Sequence, residues 1–364
     1  MDFGLSDEQR LLQETFRGYL KANVPVSRVR LLGAGTPSAL GGLWSSLAEL
    51  GAAGVIIPEE HGGSGLALLD AALIAEELGR AVTPAPFLGS AVMAPIALLE
   101  AGTQEQQARW LPKIATGDTR VGIAVTEVYS RREGAGVRLQ SGRLLGKSLM
   151  AVDVPGADVI LVVTGDDDLL LLAADARGLE IEPLPTIDVT RRVAEIVFHD
   201  VEPVAVLRAG SGAARAIERM LDAGRAVLIA DTIGAAESML DQATEYAKQR
   251  SQFGRVIGSF QAVKHMCAEM AAELEPARSL YWYAAHALGE RLDEAGLVLA
   301  HAKAHVAEVG TSIARIATEV HGGIGFTDEQ NLHLWFKRIG LDRQLLGGPE
   351  LMRERAASLQ GWAA

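Results

Sequence analysis

The sequence predicts a mostly helical α+β chain: a block of helices, then a small β domain, then a bundle of long helices. Three observations predict it. Apolar residues recur at helical spacing through roughly the first third of the chain. Short runs of Val, Ile and Leu, separated by Gly, Asp and Pro, come next. From Ala213 onward, helical spacing is sustained over unusually long segments. The 364 residues are 49% apolar and 22% charged, a balance that excludes disorder.

Ser6, with Glu8 and Gln9 behind it, opens a first helix whose apolar stripe is Leu11, Leu12, Phe16 and Leu20. A second helix is expected over 43–50. The glycines at 62, 63 and 65 interrupt the pattern, and 66–78 resumes it. Two apolar helices follow, near 86–101 and 103–114, and Gly117-Asp118 is a turn. Strands are expected at 121–126, 137–139, 144–149, 159–163, 169–172 and 193–198, forming a small sandwich or barrel. Long helices over 213–250, 260–289 and 292–320 must pack side by side, as in a four-helix bundle. The expected domains are 1–118, 119–207 and 208–364.

Lys and Arg number 34 against 46 Asp and Glu, a net charge of −12. So acidic a chain is a poor match for nucleic acid, but one local basic patch suffices for a small anionic ligand. Cys267 is the one cysteine, which excludes an intrachain disulfide; its helical neighbours predict a buried structural thiol. The N-terminus is acidic and lacks a secretory layout. No apolar run approaches the roughly 20 residues a membrane span needs. These features predict a cytoplasmic protein without membrane insertion. His301 and His305 have metal-ligand spacing, but no third ligand accompanies them, so they read as helix-face residues. Asp222 and Asp231 read as surface or packing carboxylates, and Tyr281-Trp282-Tyr283 as inter-helix packing.

Two motifs carry chemistry. Arg250 is expected to end a long helix, with Phe253 just beyond it and Gly254 as the stop. A guanidinium there can grip a pyrophosphate as a fork. Gly322, Gly323 and Gly325 let backbone N–H groups approach an anionic or flat ligand. These motifs have company. Pro58-Glu59-Glu60-His61-Gly62-Gly63-Ser64-Gly65 precedes Glu76-Glu77-Leu78-Gly79-Arg80, then Arg109-Trp110-Leu111-Pro112, Thr126-Glu127 and Asp188-Val189-Thr190-Arg191. Tyr246 to Gly254, Phe260-Gln261 and Val320 to Thr327 complete the series. In this order and spacing the chain resembles the acyl-CoA dehydrogenase family over nearly its whole length.

The resemblance implies an N-terminal helical domain, a central small β-barrel or sandwich, and a C-terminal four-helix bundle. It implies FAD at a subunit interface, with the isoalloxazine in the β domain of one chain. The neighbour's arginine–phenylalanine arm and His-Gly-Gly loop would reach the pyrophosphate and adenosine. Arg250, Phe253, Gln261, His321, Gly322, Gly323 and Gly325 are therefore the cofactor-binding residues it implies. It further implies an acyl-CoA substrate, with Arg225 on the substrate side, and an electron-transfer flavoprotein or similar acceptor. In the implied reaction a carboxylate removes the α proton and the β hydride goes to flavin N5.

The chain also departs from the family pattern. Thr126-Glu127 is followed by Val128 rather than proline, and no Gly-Ser-Asp follows. The run expected to stack on the flavin and bond to it appears as Leu149-Met150-Ala151, without an aromatic face or a hydroxyl. Both family positions for the base are glycine, Gly347 in the C-terminal loop and Gly224 before Arg225. Glu350 is the fallback base if that loop is re-routed. The expectation is a degenerate subunit of a heterotetrameric dehydrogenase, with no catalytic base of its own, serving the flavin site of a second family subunit. The run from Gly325 to Arg338 resembles the actinobacterial α2β2 enzymes of steroid and cholesterol side-chain β-oxidation. The alternatives are a self-sufficient homotetramer using Glu350, a flavin-family oxidase or monooxygenase, and a structural subunit without flavin.

Overall fold

Ser6 and Gln9 do cap the first helix reciprocally in the computed structural model, which describes residues 4–33, 42–130, 132–208 and 210–362. Helix α1 (Asp7–Asn23) buries Phe16 and Leu20, but Leu11 is 63% exposed, so the expected stripe is narrower at its start. Next come α2 (Val26–Gly33), which the sequence did not suggest, α3 (Leu43–Glu49) and α4 (Leu68–Arg80). The expected helix over 86–101 is a buried π-helical turn, Leu88–Met93, continued by α5 (Ala94–Ala101). Ser90 explains the wider turn in part: its hydroxyl accepts the Val121 N–H at 2.8 Å, tying the turn to the first strand. Thr103 and Gln106 form a second capping box on α6 (Gln104–Ala115).

The chain divides into two compact units. The sheet unit comprises residues 40–71 and 85–224, and the bundle unit residues 1–39, 72–84 and 225–364. The sheet unit contains β1 (Val121–Ala124), the short helix α7 (Thr126–Tyr129), β2 (Gly136–Gln140), β3 (Arg143–Val152), β4 (Val159–Val163), β5 (Leu169–Ala173), β6 (Leu179–Leu184), β7 (Val193–Val201) and β8 (Ala205–Arg208). They form one eight-stranded sheet in the order β6-β7-β3-β1-β4-β5-β8, with β2 also on β3. The β1–β4 pair is parallel. Phe198 of β7, Ile160 of β4 and Leu170 of β5 share one buried core, which strands this far apart in a flat sheet could not do. The sheet must curve around that core. The sequence reading omitted β6 and β8, which lie at the two ends of the strand order. Glu180, Glu182 and Pro183 obscure β6, and an edge position tolerates all three.

The bundle unit holds most of the long helix α8 (Ala214–Gln249), the two-residue strands β9 (Ser251–Gln252) and β10 (Arg255–Val256), α9 (Gln261–Gly289), α10 (Ala295–His321), α11 (Leu332–Gln344) and α12 (Pro349–Leu359). Here α4 crosses α8 at backbone contact. A Cβ on Gly79 would collide with the Asp231 carbonyl, and one on Gly234 with that of Glu76. The crossing brings buried charges together. Glu76 accepts from Tyr281 and forms an ion pair with Arg278 of α9, while Arg17 of α1 grips Glu77 with bonds of 2.7 and 2.9 Å. Arg80 pairs with Glu237 and Asp241. Burial raises the Tyr281 hydroxyl and the Glu237 carboxyl above their ordinary values, the latter despite Arg80. Arg338, fully buried on α11, holds Asp231 at 2.7 and 2.9 Å, so Asp231 is a packing carboxylate and not a surface one.

Candidate functional site

At the end of α8 the chain leaves the helix at Arg250, whose N–H still donates to the Tyr246 carbonyl at 2.8 Å. The Arg250 carbonyl accepts the Ile257 N–H at 2.7 Å, closing the β9–β10 hairpin. Phe253 (φ 52°) and Gly254 (φ 77°) are the two turn residues, both left-handed as a type I′ hairpin requires. Gly254 is therefore a hairpin residue rather than the expected helix stop. Phe253 is 92% exposed and rests edge-on against Phe260, with centroids 6.1 Å apart. The Arg255 guanidinium lies 4.0 Å from the Phe260 ring centroid. The Arg250 side chain is exposed and has no hydrogen-bond or ion-pair partner among the described residues. Gln261 opens α9, exposed, with its Nε2 3.0 Å from His265 Nε2.

His321 is the last residue of α10. It is buried, its Nδ1 donates to the Ala317 carbonyl at 2.8 Å, and its ring stacks on Tyr246 at 4.5 Å and 21°. A 3-10 turn, Gly322–Phe326, follows. Gly325 is packed against the Thr318 carbonyl and His321 Cβ. Gly322 and Gly323 differ: a Cβ at either would meet no atom within 4 Å. Gly322 needs its freedom for φ 64°, whereas Gly323 needs it for nothing within the chain. Phe326 closes the turn, 80% exposed. An unpaired guanidinium, an exposed ring and a loop with open backbone suit a phosphate-bearing ligand with a flat aromatic part.

In the sheet unit Thr126 and Glu127 form the first turn of α7 and clamp a bulge in β3. The Leu149 N–H donates to Glu127 Oε1 at 2.6 Å, the Ser148 hydroxyl to Oε2 at 2.8 Å, and the Thr126 hydroxyl to the Met150 carbonyl at 3.2 Å. Met150 takes φ 56°, and the register against β7 shifts between Ser148 and Ala151. Ala151 is consequently turned into the sheet core beside Ala194 and Val154. The sequence reading had placed Ala151 where a hydroxyl would meet a ligand; the bulge removes it from any such surface. Sequence gave no sign of the Glu127 clamp, because a carboxylate in a short polar stretch reads as a solvated side chain.

Around the expected base positions, Gly224 is buried within α8 and Arg225 Nε donates to the Leu346 carbonyl at 2.8 Å. Leu346 (φ 57°) and Gly347 (φ 105°) form a tight left-handed corner before α12. A Cβ on Gly347 would lie 2.9 Å from both Leu351 Cδ2 and Met352 Cε. Glu350 stands in the first turn of α12 with its side chain 71% exposed, paired with Arg343 at 3.2 Å. Its own backbone N–H, then Arg343, holds its carboxyl below the ordinary value, the reverse of what a buried base needs. Asp222 is buried as well. Cys267 is half-buried on α9 rather than buried, and His301 and His305 are exposed. Among the described residues no group of three His, Cys, Asp or Glu is placed to hold a metal, and no helix is long and apolar enough to cross a membrane.

The comparisons agree along the whole chain. Residues 6–118 match the acyl-CoA dehydrogenase N-terminal domain and residues 210–359 the acyl-CoA dehydrogenase C-terminal domain. The acyl-CoA dehydrogenase IpdE2 of Mycobacterium tuberculosis is 33% identical over 359 residues, covering 97% of each chain. Glutaryl-coenzyme A dehydrogenase bound to glutaryl-CoA superposes with a TM-score of 0.90 at 24% identity, over 100% of this chain and 97% of that one, a likeness of fold. A variant of the Tcur3481-Tcur3483 steroid acyl-CoA dehydrogenase superposes with a TM-score of 0.86 at 29% identity, over 98% of each chain.

Proposed function

Because this chain belongs to the acyl-CoA dehydrogenase family, whose cofactor is FAD, we propose that it is the non-catalytic subunit of a heteromeric acyl-CoA dehydrogenase. One observation carries the reading. Both family positions for the proton-abstracting carboxylate are glycine, and one of them, Gly347, has a left-handed backbone that strains any side chain, with the tips of Leu351 and Met352 where its Cβ would stand. Meanwhile Arg250 and the Gly322–Gly323 edge stand ready for a ligand that nothing in this chain supplies.

Those residues fit FAD. Arg250 would hold the diphosphate, with the Gly322–Gly323 backbone close by and Phe253 against the flat adenosine. Bound FAD supplies the hydride acceptor of the reaction. The second family subunit supplies the glutamate that takes the α proton. This chain binds, orients and screens from water, with no side chain of its own in the proton's path. The acyl-CoA substrate is proposed to be steroid-derived, a reading supported by the 29% likeness to a steroid dehydrogenase. An electron-transfer flavoprotein or similar protein would take the electrons, in the cytoplasm.

Co-expression with a second family subunit that retains its glutamate tests this. The complex is expected to hold one flavin for each pair of unlike subunits. Replacing the partner's glutamate should lower turnover by about 10²–10⁴-fold, the usual cost of a lost general base. A chain that purifies alone as a yellow tetramer, with one flavin per subunit and acyl-CoA turnover, would be a self-sufficient enzyme and the reading would fall.

A further inference from the structure

We propose that Tyr246 is a positioning residue: stacked on His321, it locks the arginine arm to the glycine loop so that both meet one FAD as a preformed unit. This rests on the reading that Arg250 and Gly322–Gly323 bind FAD. The arm and the loop sit at the ends of two separate helices, α8 and α10. Helix ends have unsatisfied backbone groups and fray, and the packing of Phe253 on Phe260 steadies the arm without tying it to the loop. Arg250 has no partner among the described residues, and Gly322 and Gly323 have no side chains to pack.

The ring pair joins the two ends. On one side His321 is buried, and its Nδ1–H bond to the Ala317 carbonyl fixes the ring plane. Gly322 follows directly in the chain. On the other side Tyr246 lies one helical turn before Arg250 and accepts its backbone N–H at 2.8 Å. The rings are 4.5 Å apart and 21° from parallel, in stacking range. The Tyr246 hydroxyl makes no hydrogen bond among the described residues, so the ring face, not the hydroxyl, carries the contact. Fixing the arm relative to the loop before the ligand arrives removes an ordering cost from binding.

The test measures FAD affinity by reconstitution of the flavin-stripped complex, together with melting temperature. Arg250→Ala should weaken FAD by about ten- to a hundredfold. Tyr246→Ala should weaken it roughly tenfold, and Tyr246→Phe should stay within about twofold of wild type. If Tyr246 acts through the arm, the double variant should bind no more than about twofold worse than Arg250→Ala alone. Wild-type affinity in Tyr246→Ala, beside a clear loss in Arg250→Ala, overturns the positioning role and leaves the FAD reading standing. Losses that multiply, or a Tyr246→Ala loss that Phe does not restore, overturn it too. Unchanged affinity in Arg250→Ala overturns the FAD reading itself. Should Tyr246→Ala fail to fold, Tyr246→Leu, which keeps bulk without a ring face, takes its place under the same criteria.

Discussion

Gly323 and Gly347 both lie in tight turns that follow helices of the bundle unit, and they are glycines for opposite reasons. At Gly347 the backbone sits at φ 105° and two side chains crowd the missing Cβ. The neighbouring corner is held by Arg225 on the Leu346 carbonyl. At Gly323 the space beside the backbone is empty to 4 Å, and no positive φ demands glycine. A crowded glycine reports on its own chain; an open one reports on something outside it. Glycine at 347 thus belongs to a left-handed corner, where a side chain would need a strained backbone and a shift of Leu351 and Met352. The open edge at 323 is the backbone we propose for the cofactor.

That contrast can be broken by substitution. The largest effect is expected for Gly347→Glu, which restores a carboxylate at the family position. A left-handed non-glycine residue and an overfilled corner together should cost about 3 kcal/mol in urea unfolding, without new turnover. A stable variant that gains activity would show that only a side chain was missing. Arg225→Ala comes next. It strips the Leu346 carbonyl of a buried charged donor, and a loss of about 2 kcal/mol is expected. Gly323→Leu should change stability by no more than about 0.5 kcal/mol, since its Cβ meets nothing within 4 Å among the described residues, while reducing the flavin held by the complex. A Gly323→Leu protein that unfolds readily, or that keeps its full flavin load, would make the two glycines alike.

The sequence made much of this legible where local chemistry decides the outcome. Ser6 announced its helix because capping is a short-range code. Long apolar runs placed α8, α9 and α10 to within a few residues, and the Arg250 and Gly322 motifs named the residues that the ring stack draws together. What stayed hidden depends on tertiary context. Glu76, Arg338 and Lys303 are charged, and nothing in the sequence marks them as core, yet all three are buried with partners from other helices. The β3 bulge adds a residue that turns Ala151 inward, and no periodicity in the sequence signals it. The corner at 346–347 is held by Arg225, far away in the chain, so sequence showed glycine at 347 but not the left-handed corner it occupies.

Glu350 offers the smallest effect and the sharpest separation of the two readings. It lies three positions past Gly347 and could serve as a base only if desolvated and raised. Instead it is exposed, and a hydrogen bond from its own backbone N–H, then Arg343, depresses its pKa. A depressed carboxylate contributes stability that is present above its unfolded value of 4.5 and is lost as pH falls through the lower folded value. Glu350→Gln should therefore cause a slight fall in melting temperature near neutral pH, shrinking as the solution is acidified below that range. The proposed function puts the titrating base in the other subunit, so the turnover of the complex and its pH profile should stay within a few-fold of wild type. Loss of turnover in Glu350→Gln, with flavin and assembly intact, would place the base in this chain after all, and the crowding at Gly347 would then mark a displaced active site instead of an abandoned one.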